Sequence, residues 1–225
     1  MKTITSRLHP RTRQFLLLTL AAGLPAGLIL FRMHYTGSIV FGFLLWNLFL
    51  AWLPLLFAWF ALWIASKSRM LTLVSAAAWL AFLPNAPYLI TDIAHLRPMG
   101  DIPHFYDVVM FFSLALTGLA LGFASLAWMQ KVVWAKLGVW PARAFAASII
   151  AMASFGVYIG RFLRWNSWDI ITNPGPLFLE IARIVHHPLA HRYIWAHAAL
   201  LTLALLFAYG LPPLLSHQAP SGKPS

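Results

Sequence analysis

The stretch FYDVVMFFSLALTGLALGFASLAW, residues 105–128, decides how the chain folds. Past Asp107 it carries no charge, and it exceeds the roughly 20 apolar residues that a helix needs to cross the hydrocarbon core of a bilayer. In water such a surface has nowhere to go, so its solvent is lipid. Working outward, residues 142–163, 193–215, 70–83, 38–64 and 15–31 form comparable or shorter apolar runs, which makes six spans in all. The whole chain agrees with this. Of 225 residues, 61% are hydrophobic and 9% are charged, against about 25% charged in an ordinary soluble domain. Eleven Trp residues suit rings that anchor at the membrane–water interface.

The joints between the runs set the organisation. Residues 1–14 are polar and basic, and the first apolar run lacks a small-residue cleavage site before Arg32, so it reads as an uncleaved first span. Residues 38–64 are long and hold Pro54, which predicts a tilt or kink. Residues 65–69 form a short turn. The third run ends or breaks at Pro84 and Pro87, because proline removes a backbone donor and clashes with the preceding turn. Residues 88–104 then read as a mixed polar connection, residues 129–141 as a turn and residues 164–176 as a Trp-rich loop. In residues 177–187, Glu180, Arg183 and His186 alternate with apolar side chains, as in an amphipathic helix lying at an interface. The reading is an all-α polytopic bundle, one domain over residues 1–215, with a disordered tail over 216–225.

Charge sets the orientation. With the N terminus inside, the inner segments hold ten cations (Lys2, Arg7, Arg11, Arg13, Lys67, Arg69, Lys131, Lys136, Arg143 and Lys223) and the outer segments hold six. All five acids, Asp92, Asp101, Asp107, Asp169 and Glu180, fall on the outer side or at its edge. The positive-inside bias therefore predicts both termini in the cytoplasm. The net charge of +11 is spread between spans, which suits anionic lipid surfaces and leaves no basic domain for nucleic acid. The absence of cysteine excludes disulfides, thiolate metal sites and a Cys nucleophile. Gly23 and Gly27, Gly118 and Gly122, and Gly156 and Gly160 are each four apart, a spacing that lets helix backbones approach closely within the bundle.

The polar residues gather near one face. Candidates for chemistry are Asp92, His95, Asp107 and Asp169; candidates for substrate binding are Asn85, Tyr88, Arg161, Arg164 and Asn166. Asp92 and His95, three apart, share a face if helical. With a second carboxylate they would suit a divalent metal that activates water, although Asp92 also reads as a helix cap and His95 as an interfacial polar group. Arg161 and Arg164 suit a phosphate or carboxylate, or simple snorkelling. Asp107 and Arg161, at the outer ends of neighbouring spans, are expected to pair, and Asp92, His95 and Asp169 to share one pocket with them. No phosphate loop, hydrolase elbow or HExxH string occurs.

The strings FLPNAPYLITDIAHL (82–96), FYDVVMFFSLALTGLALGFASL (105–126) and GVYIGRFLRWNSWDIITNP (156–174) resemble the bacterial membrane-protein family named domain of unknown function 1361. The resemblance implies a multi-span bacterial inner-membrane protein and carries over no catalytic residue. Three functions stay open from the residues themselves. The chain binds or processes a lipid-linked or periplasmic substrate in an outer polar pocket, or it is a transporter or channel, or it is a non-catalytic assembly or scaffold protein. A transporter needs a polar path, and only Asn47, Thr72, Ser75, Ser113, Thr117, Ser148 and Ser154 offer one. Its certain contacts are membrane lipids.

Overall fold

The computed structural model describes residues 9–97 and 102–216, and of residues 211–216 the backbone only. The basic residues Lys2 and Arg7, the acid Asp101 and the tail from 217 onward lie outside the described residues. The described chain is all helix and turn, with no strand. The first span is α1 (Pro10–Ala21) and α2 (Gly23–Thr36), joined at Ala22 and ended by Gly37 at φ 61°. Only glycine takes that left-handed geometry without strain. The second span is α3 (Gly42–Ile64), one continuous helix through Pro54.

The third span shows that proline does more here than end a helix. Helix α4 (Arg69–Phe82) starts on Ser68, whose hydroxyl accepts from the Leu71 amide, and stops before Pro84. The chain does not then leave the helical state. It restarts as α5 (Asn85–Thr91) and a 3₁₀ turn over Asp92–His95, so half of the connection expected over 88–104 is helical. The reason is positional: Pro84 and Pro87 fall just before and within the first turn of the new helix, where backbone donors have no intrahelical acceptor and a missing N–H costs nothing.

Helix α6 (His104–Leu137) overruns the expected turn at 129–141, because residues 129–137 contain no breaker. Gly138, at φ 90°, makes the corner into α7 (Val139–Phe162). Within the Trp-rich loop sits the short α8 (Asp169–Thr172). The expected amphipathic helix follows as α9 (Pro174–His186), burying Leu177 and Ile184 and exposing Phe178, Leu179 and Val185. Helix α10 (Arg192–Ser216) is the last described element.

Among the described residues, six helical segments are long and apolar enough to cross a membrane. Their outer faces leave Leu20, Met70, Leu116, Leu200 and Phe207 largely exposed, a surface stable only in lipid. One core joins Leu55, Trp79, Leu121, Trp128, Ile149 and Leu205 from α3, α4, α6, α7 and α10. A second joins Ile29, Phe41, Leu44, Leu89, Met110 and Phe111 from α2, its following turn, α3, α5 and α6. Helix α5 is pressed between its neighbours. A Cβ at Gly118 would strike the Ala86 carbonyl oxygen, and one at Gly156 would stand 2.6 Å from Pro84 Cγ. The glycine spacing thus serves packing inside the bundle in α6 and α7, whereas Gly23 and Gly27 meet nothing within 4 Å.

Candidate functional site

The restart of the third span after Pro84 brings Asn85, Tyr88, Asp92 and His95 along one short helical segment, against the end of α7. Asp92 is fully buried. Its Oδ2 accepts a 3.0 Å hydrogen bond from Asn47 Nδ2 of α3, and its Oδ1 accepts from Arg161 Nη1 of α7 at 3.3 Å. The same Arg161 nitrogen donates to Tyr88 Oη at 3.5 Å, its Nη2 lies 3.3 Å from His95 Nδ1, and its guanidinium sits over the Tyr88 ring. A buried carboxylate this close to a guanidinium is tolerable because both hydrogen bonds and opposite charge replace the lost water. Three spans are tied together by one acid.

The expected pocket of five charged residues is therefore split. Asp92, His95 and Arg161 do converge. Asp107 does not pair with Arg161; it is held by Arg32 of α2, Nε to Oδ1 at 2.8 Å and Nη2 to Oδ2 at 3.3 Å, with both side chains buried. Arg32 also lies 5.3 Å from the centroid of Phe41. In sequence Arg32 reads as part of an outer loop; the structure carries α2 past it to Thr36 and turns its side chain inward. Asp169 is spent locally: its Oδ2 accepts from the Asn166 amide at 2.7 Å and its Oδ1 from Thr172 Oγ1 at 3.1 Å, which folds the loop ahead of α9. Arg164 is exposed and takes a positive φ of 60° in the same loop.

Beside the Asp92 network lies a cavity of about 530 Å³. Its polar end is made by Asn47, Asn85, Tyr88, Asn166 and Ser167. Asn85 donates to the Ser167 hydroxyl at 2.9 Å, bridging α5 to the loop that Asp169 folds. Trp46 and Trp165 join this end. The apolar walls come from Leu50, Ala77, Leu80 and Ala81 on one side and Met152, Gly156 and Ile159 on the other, with Leu177, Phe178 and Ile181 of α9 across them. Trp46, Met152 and Phe178 are each more than half exposed, so the cavity opens to the surroundings of the bundle. Sequence reasoning finds Asn85, Tyr88 and Asn166, but treats Asn47 as a weak polar step at mid-depth and gives Ser167 no role.

As for metals, among the described residues no three His, Cys, Asp or Glu side chains converge as ligands. Around Asp92 a guanidinium already stands against the carboxylate, where a cation would have to sit. The site is built to hold polar groups in place beside an apolar slot.

Six membrane-length apolar helices around buried ion pairs define a multi-pass membrane protein. Residues 46–208 match the family described as protein of unknown function (DUF1361), and the chain belongs to that family. No curated protein and no solved structure matches it.

Proposed function

We propose that this chain is a bacterial inner-membrane protein, a single transmembrane domain over residues 1–215 with both termini in the cytoplasm, that binds a lipid-linked or periplasmic substrate in the cavity at its outer face. The observation that carries this reading is the two-ended cavity: amides, hydroxyls and indoles at one end, aliphatic walls running down α4 and α7 at the other. Ligand sites are typically concave, mostly apolar and fitted with a few placed polar groups. An amphiphile matches both ends at once. Asn85, Tyr88 and Asn166 contact it, while Asp92, His95 and Arg161 hold Tyr88 and Asn47 in position. The positive-inside bias supports the outer side for this end.

A transport path has less support. Thr72, Ser75, Ser113 and Ser154 hydrogen-bond to carbonyls of their own helices, which satisfies them without a pore.

The test is native mass spectrometry of the protein released from membrane patches cut out by polymer. Wild type retains an amphiphile; Ala81→Phe, which fills the cavity and breaks no hydrogen bond, loses it. Equal occupancy in the two would sink the proposal. Orientation is tested separately by labelling Ser68→Cys in intact cells, against a background free of cysteine. Labelling from outside would invert the assignment.

A further inference from the structure

The polar end of the cavity also says what kind of headgroup fits it, given the reading that an amphiphile binds there. Among the described residues, no lining side chain is charged. Arg161 is engaged by Asp92 and donates to Tyr88, a lining residue, and Arg164, beside lining Trp165, is exposed. Asp92 is fully buried and bonded by Asn47 and Arg161, and Asp169 is engaged by the Asn166 amide and Thr172. A charged headgroup would lose its hydration among lining side chains that carry no counter-charge, which is costly.

The hydrogen-bonding inventory narrows the class further. Asn85 spends both N–H groups of its amide, on the Phe82 carbonyl and on Ser167, so what it can offer a ligand is its carbonyl oxygen. Asn47 gives one N–H to Asp92 and keeps its carbonyl oxygen. Tyr88 Oη accepts from Arg161 and Ser167 Oγ accepts from Asn85, so each has its own proton to donate. The lining presents acceptors and donors side by side, all neutral. A phosphate brings only acceptors, and a quaternary ammonium brings neither. Hydroxyl groups bring both. Trp46 and Trp165 add flat faces against which the C–H side of a ring can pack.

We infer that the cavity takes a lipid whose headgroup is uncharged and hydroxyl-rich, a glycosyl group being the chemical class that fits. The chain lies between α4 and α7, and the sugar meets Asn47, Asn85, Tyr88 and Ser167.

The experiment uses the full chain in phosphatidylcholine nanodiscs, purified without sugar detergents. The probe is dodecyl glucoside with a photoreactive diazirine in its alkyl chain, competed by unlabelled dodecyl glucoside, dodecyl phosphate or dodecyltrimethylammonium. Crosslinks map to α4 and α7 near Ala81 and Met152, and the glucoside competes at a concentration at least about ten-fold below either charged competitor. Tyr88→Phe with Ser167→Ala brings the three competitors to within about two-fold of one another. The wild-type competition series needs no variant, so a folding failure in the double variant leaves the answer intact. If crosslinks map to the cavity but a charged competitor wins or ties, the headgroup inference is overturned and the binding site stands. If none of the crosslinks map there, both readings fail.

Discussion

Among the described residues two ion pairs with buried carboxylates tie spans of this bundle together, and they are built differently. Arg32 and Asp107 join α2 to α6 with side chains 5% and 1% exposed, and Phe41 of the second core lies against Arg32. Their contact is 2.8 Å and two-pronged, the geometry in which a guanidinium and a carboxylate bind best. Asp92 and Arg161 join the third span to α7 at 3.3 Å, and Arg161 is 18% exposed. The second pair shares its acid with Asn47, its base with Tyr88 and His95, and abuts a cavity. Enclosure on all sides makes an ion pair a fastener. A pair that leaves one partner reachable, with neutral polar groups between it and an open slot, positions those groups for something else.

The largest expected effect tests the fastener. Arg32→Met leaves Asp107 buried against apolar side chains, which destabilises the fold by about 3–5 kcal/mol. Thermal unfolding in detergent, followed by size-exclusion chromatography, reads this directly. A small shift in the single variant would erase the distinction between the pairs. Next, Arg161→Met costs about 1–3 kcal/mol, because Asn47 still bonds Asp92 and water can reach the vacated space. Its larger consequence is on binding: retention of the dodecyl glucoside probe falls while most of the protein stays folded. Equal losses of stability in Arg32→Met and Arg161→Met would make both pairs structural. The smallest effect belongs to Asp169→Ala. It removes the acceptor for the Asn166 amide and Thr172 in a partly exposed loop and costs about 0.5–1.5 kcal/mol. Probe binding weakens several-fold, read by the same photolabelling, since Asn166 and Ser167 lose their setting.

Half of the candidate site is legible in the amino-acid sequence. Asn85, Tyr88, Asp92 and His95 stand out because polar residues crowded beside a proline break are unusual in so apolar a chain. Arg161 stands out as a charge at the end of a span. What cannot be read there is who pairs with whom. Depth along the membrane puts Arg161 level with Asp107, but depth says nothing of direction around the bundle axis, and Asp107 faces α2. Asn47 is easily undervalued for the same reason: an amide in an apolar helix gains meaning only from the acid opposite it.

Composition, run length and the positions of proline and glycine are local or one-dimensional quantities. On their own they determine that this chain lives in a bilayer, crosses it with six helices and carries an amphipathic segment before the last. The bilayer makes that possible, since it demands apolar runs of a minimum length whatever the arrangement of the helices. The tertiary structure alone decides that Pro84 and Pro87 start a helix as well as stop one, and that Gly118 receives α5 and Gly156 the Pro84 before it. It alone divides the clustered charged residues into a sealed pair, a loop cap and the support of a cavity wall. Those outcomes depend on how helices rotate against one another, and rotation is settled by close packing and by each buried charge finding its partners.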